Sequence, residues 1–384
     1  MFKTNPKEKF RLFKQSKNFC AVPWGLLFIK EDGEVKVCVK NSTLTGNLCS
    51  ENIEEIINNP VYSELKEQFL DDIPPKSCNS CFRLENNGDG KTKYGHIRAE
   101  YNKLLAPNDV DYYNSNEFVL GALDLHWSST CNLKCVTCYA GQSSSIAVEQ
   151  GLKPRHTPTE SAHKLIDWIE HNQSTLREVY LSGGEPTLIK YNLKLLQRLE
   201  KRNDLLIRVN SNMMWDQDHP IVQEILKFPN VMFTCSVDGT HERFDYIRRG
   251  ANWNKCLSNI KFLQTQPNVN VRINSVFCIL TAKTLVDTID YLHSMEISNF
   301  TINQCGMGQT HLRARNMPNK TKELVKQEIL RGLKKYSNDL NLVGQLNNCL
   351  NELEQCKDEE YDDYLNNIDQ LANTNWKELF GELL

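Results

Sequence analysis

Short apolar runs alternate with helical stripes through the middle of the chain. Leu123-Asp124-Leu125-His126-Trp127, Glu178 to Leu181, Leu205-Leu206-Ile207-Arg208-Val209, Val231 to Val237, Val269 to Phe277 and Asn299-Phe300-Thr301-Ile302-Asn303 read as six strands. Between the first two, Ala162, Leu165, Ile166 and Ile169 recur at three- and four-residue spacing and share one helix face. Leu193, Leu196 and Leu199 mark the next helix, and Trp253 to Leu263 and Thr284 to His293 read as two more. Thr157-Pro158-Thr159-Glu160 has the form of a capping box with proline in the first turn. Repeated strand–helix units demand a parallel sheet with right-handed crossovers.

The flanks differ from this centre. Leu26-Leu27-Phe28-Ile29, Glu31-Asp32-Gly33-Glu34 and Val35-Lys36-Val37-Cys38 read as a β-hairpin, because Asp-Gly suits the tight turn that matches strand twist. Asn59-Pro60 then starts a helix whose Val61, Leu65 and Phe69 share a face. Five lysines between Lys3 and Lys17 read as a solvated arm, and residues 86–119, rich in Asn, Gly, Asp and Lys, read as a connector with His96 and Arg98 on its surface. Residues 317–336 carry Val325, Ile329, Leu333 and Tyr336 in helical register. The acidic run around Asp358 to Asp363 reads as a solvated cap.

Composition narrows the class. With 384 residues, 40% of them hydrophobic and 24% charged, the chain has material for a packed soluble protein of two or three domains. A net charge of −3 gives no general pull toward nucleic acid or an acidic membrane. The apolar run from Ala21 to Ile29 is too short to span a bilayer, and the first residues lack the apolar core of a secretory signal. Fourteen cysteines without an export signal argue for metal or clusters in a reducing compartment, the cytoplasm, rather than for disulfides. Six of them, Cys235, Cys256, Cys278, Cys305, Cys349 and Cys356, are scattered singly and read as packing or surface residues.

The chemistry concentrates in Cys131-Asn132-Leu133-Lys134-Cys135-Val136-Thr137-Cys138, directly after the first strand of the repeat. Three thiolates on one short loop can hold three corners of a 4Fe–4S cube and leave the fourth iron open to a small ligand. Electron-transfer clusters take four cysteines, so a triplet is itself informative. Structural zinc prefers paired C-x2-4-C units and four ligands, which this loop does not supply. One strand–helix unit later comes Ser182-Gly183-Gly184-Glu185-Pro186. Its glycines permit close backbone approach to a ligand, and Glu185 can accept a hydrogen bond from an ammonium. Upstream, Cys20, Cys38, Cys78 and Cys81 form a four-thiolate set, with Cys49 as a spare. Spacing alone leaves that set open between a closed 4Fe–4S cluster and a structural zinc.

Together the cysteine triplet and the Gly-Gly-Glu-Pro segment resemble the radical SAM superfamily over residues 120–315. The resemblance implies an α/β fold with a partial, six-unit TIM-type barrel. It also implies that S-adenosylmethionine chelates the open iron and is reductively cleaved there to a 5′-deoxyadenosyl radical, which abstracts a hydrogen atom from a substrate. Cys131, Cys135 and Cys138 would hold the cluster, and Gly183, Gly184 and Glu185 would orient the methionine end. Where the family often has an aromatic residue before the third cysteine this chain has Thr137, with Tyr139 just beyond, and these two would lie on the adenine side. Asn212, Ser236, Asp238 and Arg249 follow strand ends on the rim where barrel chemistry sits, and are the remaining cofactor-binding candidates.

The N-terminal module, residues 1–100, resembles the auxiliary-cluster domains called SPASM and twitch. Pro23-Trp24, the hairpin, Gly46-Asn47-Leu48, and Cys78-x2-Cys81 followed by Glu85 carry that resemblance. It usually follows the core; here it precedes it, with a connector at 101–119 and a helical region at 316–384. The combination implies a second 4Fe–4S cluster, a peptide or protein substrate, and a reductant such as flavodoxin or ferredoxin. A sugar or aminocyclitol dehydrogenase is the alternative within the class, and a non-catalytic zinc-binding adaptor the alternative outside it. Two thiolates cannot securely hold a cube with an open iron. Replacing any one of Cys131, Cys135 or Cys138 by Ala is therefore expected to abolish formation of 5′-deoxyadenosine from S-adenosylmethionine; wild-type amounts from any of the three variants would refute the assignment.

Overall fold

The computed structural model describes residues 18–41, 43–82, 97–105, 117–357 and 359–381, without the side chains of Ile97, Ala99 and Met307. The lysine arm, Glu85, His96 with most of the connector, and Asp358 lie outside the described residues. The chain divides into two compact units. The first comprises residues up to Ser129 with Arg155–Arg208 and Lys227–Asn230; the second comprises Thr130–Pro154, Val209–Leu226 and Val231–Leu384. The fold class is the expected one: α/β, with a mostly parallel sheet and a helical C-terminal region.

In the first unit, β1 (Leu26–Ile29) and β2 (Glu34–Lys36) form the expected hairpin, with Phe28 opposite Lys36 and Ile29 opposite Val35. β3 (Leu44–Asn47), which was not expected as a strand, pairs antiparallel with β2. The other edge of β1 pairs in parallel with β4 (Ala122–Leu125), and β4 with β5 (Glu178–Leu181). The hairpin was read as part of a small module, yet it extends the parallel strands. The reason lies in its first strand: all four of its residues are buried, so it has no wet face and needs cover on both sides.

The helix Pro60–Leu70 starts where expected, with the Asn59 side chain accepting from Val61 N at 3.0 Å. Its Tyr62, Leu65 and Phe69 pack with Phe19, Trp24, Val37, Tyr101 and Leu105. Tyr101 and Leu105 belong to a helix, Ile97–Leu105, inside the stretch read as a connector. Ile97, Tyr101, Leu104 and Leu105 do recur at helical spacing, a signal masked by the polar residues before them. Arg98 and Asn102 of this helix donate to Phe19 O at 2.8 and 2.9 Å, and Asn102 accepts from Ala21 N at 2.7 Å. The expected capping box at Thr157 does not form. The helix begins at Thr159 with Pro158 as its cap, and the buried Thr157 hydroxyl turns to Lys30 O at 3.4 Å instead.

β6 (Leu206–Ser211) runs from the first unit into the second. In the second unit β7 (Val231–Ser236), β8 (Val269–Phe277) and β9 (Phe300–Gln304) pair in parallel. Among the described residues, four α-helices follow: Asn319–Lys335, Leu340–Leu353, Asp362–Ala372 and Trp376–Leu379. Gln345 of the second accepts from Ile302 N and donates to Phe300 O at 3.0 Å, engaging backbone groups of β9 as a neighbouring strand would. Among the described residues no helix is long and apolar enough to cross a membrane.

One face of β4 and β5 in the first unit carries buried charge. His126 Nε2 lies 3.0 Å from Asp124 Oδ1, edge-on to Phe28. Arg208 pairs with Glu178 and stands 4.3 Å from the centre of the Tyr180 ring. Burial opposes charging of His126 most strongly, but the charge and hydrogen bond of Asp124, with Glu31 behind it, outweigh burial and raise its pKa. A raised folded value means that charged His126 contributes stability in full below the ordinary histidine value, about 6.5, and loses it as pH rises through the folded value. His126→Gln should therefore cost most stability in acid, and the gap from wild type should narrow with rising pH. Thermal unfolding across this range checks it; a constant gap would contradict it.

Candidate iron–sulfur and cofactor site

The cysteine loop is shaped by its apolar members. Leu133 and Val136 are fully buried, while Cys131, Cys135 and Cys138 keep partial exposure. Serines at the start of the helix Ser144–Glu149 bind the loop: Ser144 Oγ accepts from Cys131 N at 3.0 Å, Ser145 Oγ donates to Cys131 O at 2.7 Å, and Ser143 Oγ donates to Leu133 O at 2.7 Å. Across from them, Lys134 N donates to Arg249 O at 2.9 Å and Val136 N to Ile247 O at 2.7 Å. The loop is thus fixed at its backbone, leaving the thiols to face a ligand.

Burial raises the Cys135 thiol above its usual value, and Arg248 opposes this. Cys138 is pushed up to about 12, first by burial and then by Cys135 and Cys131, so its sulfur stands within electrostatic reach of the other two. Arg248 Nη1 is 3.9 Å from Cys135 Sγ, and its Nη2 is 2.9 Å from Asp238 Oδ2. The other Asp238 oxygen accepts from Val276 N at 2.8 Å, so this candidate has both oxygens engaged. Arg249 forks onto Glu149 at 2.8 and 3.2 Å, and Lys134 reaches the same carboxylate at 3.0 Å. Asn212 Nδ2 donates to Asn132 Oδ1 at 2.8 Å and lies 3.9 Å from Cys131 Sγ. Ser236 is buried at the end of β7, Thr137 is half-buried, and Tyr139 is exposed. Sequence reasoning singled out Arg249 of the Arg248-Arg249 pair; the cation beside a loop thiol is Arg248. Glu149 was passed over, because a lone glutamate on a short helix carries no local signal.

In the first unit, Gly183 has φ +95°, and a Cβ there would stand 2.8 Å from Ser128 O. Only glycine meets both demands without strain. Gly184 N donates to the same Ser128 carbonyl at 3.0 Å. Glu185 is buried and caps the turn Pro186–Leu188, accepting from Thr187 Oγ1 at 2.8 Å and Thr187 N at 3.3 Å.

The same unit gathers the four upstream thiols. Burial, then Cys38, raises Cys20 far above its usual value; burial pushes Cys38 to about 12, with Cys78 and Cys81 adding to it. Donors surround them: Asn41 Nδ2 reaches Cys78 Sγ at 3.4 Å, the Lys40 and Asn41 amides face Cys38, and the Val22 amide faces Cys20. Cys49 is exposed, with its sulfur against Asp32 O. Of the six scattered cysteines, all but the exposed Cys356 are buried. Among the described residues no three His, Cys, Asp or Glu side chains converge on a single metal ion; a cube takes one thiolate at each iron and needs no such convergence.

Residues 125–307 match the model of the radical SAM superfamily. Residues 20–82 match the model of SPASM, an iron–sulfur cluster-binding domain. The SPASM match therefore precedes the radical SAM match along the chain. No curated protein matches the chain. Similar solved structures include native anSMEcpe with bound AdoMet, 17% identical over 57% of this chain and 62% of that one, with a TM-score of 0.44. Another is Streptococcus suis SuiB bound to precursor peptide SuiA, 14% identical over 76% of this chain and 62% of that one, with a TM-score of 0.42. The chain spans about 60% of the length of such structures. A radical SAM core takes a 4Fe–4S cluster and S-adenosylmethionine, and a SPASM domain takes further iron–sulfur clusters. The donor sets fit: three thiols on one loop leave an iron open, and four thiols among N–H donors suit a closed cluster.

Proposed function

We propose that this chain is a radical SAM enzyme that modifies a peptide or protein, with an auxiliary cluster assisting oxidation or bond formation. The observation that carries the reading is the pairing of two thiol sets of different kind, a triplet in the radical SAM segment and a quartet in the SPASM segment. The peptide or protein substrate is the one the auxiliary-domain resemblance suggests.

When bound, the loop cluster and S-adenosylmethionine supply the electron and the cleavable sulfonium from which substrate radical chemistry starts. In this reading Cys131, Cys135 and Cys138 lose their protons on binding iron, which costs less than burial alone implies because the metal offsets the thiolate charge. Arg248 adds a fixed positive charge beside Cys135, and Asp238 holds it there. Glu185 accepts from the methionine ammonium, while Gly183 and Gly184 let the backbone lie close. Asn212 and Ser236 serve the same cofactor directly, Asp238 serves it through Arg248, and Arg249 does so by fixing the loop through Glu149. Thr137 and Tyr139 would contact its adenine side. Cys20, Cys38, Cys78 and Cys81 would hold the second cluster. We assign residues 1–100 to the auxiliary module, 101–119 to the connector, 120–315 to the core and 316–384 to the helical C-terminal region. A flavodoxin or ferredoxin in the cytoplasm would supply the reducing electrons.

Anaerobic reconstitution tests the two-cluster reading. The triple variant Cys131→Ala/Cys135→Ala/Cys138→Ala should retain about four irons and four sulfides in the closed site. One zinc and no sulfide would make the module a zinc domain and remove the electron-handling step. In Cys78→Ala/Cys81→Ala, cofactor cleavage should persist while product formation fails; loss of both together would reduce the auxiliary cluster to a structural role.

A further inference from the structure

The segment carrying the third thiol is held by side chains from far along the chain. The Tyr364 hydroxyl, on the helix Asp362–Ala372, donates to Val136 O at 2.8 Å. Gln309 Nε2, from the turn after β9, donates to Cys138 O at 2.6 Å. Beside them the Tyr139 ring lies so close to Gly308 that an added Cβ would meet it at 2.5 Å. Because Val136 N already donates to Ile247 O, the peptide units around Cys138 are fixed from both sides.

These two donors are themselves held in place. The His311 ring stands 4.1 Å from that of Tyr364, centre to centre. Asn316 Nδ2 donates to Thr310 O and His311 O, both at 3.1 Å, and Asn316 Oδ1 accepts from Glu359 N at 3.3 Å. The tyrosine's own helix is fastened through Asp369, which accepts from the Tyr246 hydroxyl at 3.1 Å and from Trp376 N at 2.8 Å. Packing alone does not call for the hydroxyl, since a phenylalanine would fill the same space. What the hydroxyl adds is a bond to the carbonyl two residues before Cys138.

We propose that Tyr364 and Gln309 are positioning residues for Cys138, fixing the loop that presents the third thiolate and so setting the geometry and electrostatics at its iron. The inference rests on the reading that this loop holds a cluster. It assigns the C-terminal helix Asp362–Ala372 a part in the site, whereas the sequence suggested only a solvated cap. Hydrogen bonding around cluster sulfurs and their exposure are what tune such centres, and a loose ligand loop alters both.

The test uses the full chain with Tyr364→Phe and, should that variant fold poorly, Gln309→Ala. Tyr336→Phe, a phenol bonded to Asp290, is the control. Hydrogen–deuterium exchange of the peptide spanning Cys131 to Ala140 is measured before reconstitution, and the electron paramagnetic resonance spectrum of the reduced protein after it. Tyr364→Phe should exchange several-fold faster in the loop and give a shifted or broadened cluster signal at undiminished iron content, while Tyr336→Phe matches wild type in both. Faster exchange with an unchanged spectrum would reduce Tyr364 to a structural residue and overturn the inference, as would wild-type behaviour in both measurements. A wild-type protein that binds no cluster in the loop would overturn the functional reading and this inference together.

Discussion

A buried thiolate is expensive, and two groups of cysteines in this chain are placed where that cost is high. Burial raises Cys135, Cys138, Cys20, Cys38 and Cys78, and neighbouring sulfurs raise most of them further. Such groups stay protonated unless a metal takes the proton's place. The surroundings are arranged for the charged form all the same. Arg248 stands beside Cys135, Asn41 beside Cys78, and backbone amides face Cys38 and Cys20. Sites that disfavour the bare thiolate yet are lined with donors for it suit thiolates bound to iron.

The rest of each unit can be read as support for these loops. In the second unit, Ser143, Ser144 and Ser145 bind one side of the triplet loop, and Ile247 and Arg249 bind the other through their carbonyls. Glu149 fastens Lys134 to Arg249, joining the loop to the chain after β7. In the first unit, Arg98 and Asn102 grip Phe19 O next to Cys20, and the helix Pro60–Leu70 packs its apolar face on the same cluster of side chains. The cations that fix the triplet loop each have a carboxylate: Lys134 and Arg249 share Glu149, and Arg248 pairs with Asp238, so none of them is left uncompensated.

Strands were legible in the sequence because their burial repeats locally: β1, β5 and β8 fall where the apolar pattern put them, and β2, β4, β6, β7 and β9 lie within a few residues, while β3 gave no such signal. The thiols were legible because cysteines at short spacing on a loop have few other uses. What escaped was set by distant partners. Nothing in Leu26–Ile29 tells that it will lie beside β4, and nothing around Thr157 tells that its hydroxyl will turn to Lys30 O. Of two adjacent arginines, which one faces Cys135 depends on Asp238 and on how the helix His241–Ile247 ends, not on either residue's own neighbours. Tyr364 is more than two hundred residues from the carbonyl it binds, so no local pattern could reveal it.

The central claim is that the triplet loop holds a cluster with one iron open to S-adenosylmethionine. The most direct test is the electron paramagnetic resonance spectrum of Cys78→Ala/Cys81→Ala protein, reconstituted and reduced without oxygen, recorded before and after adding S-adenosylmethionine. The account predicts a 4Fe–4S signal that changes in shape when the cofactor is added, because the ligand enters the cluster's own coordination. A cluster signal indifferent to the cofactor would contradict it.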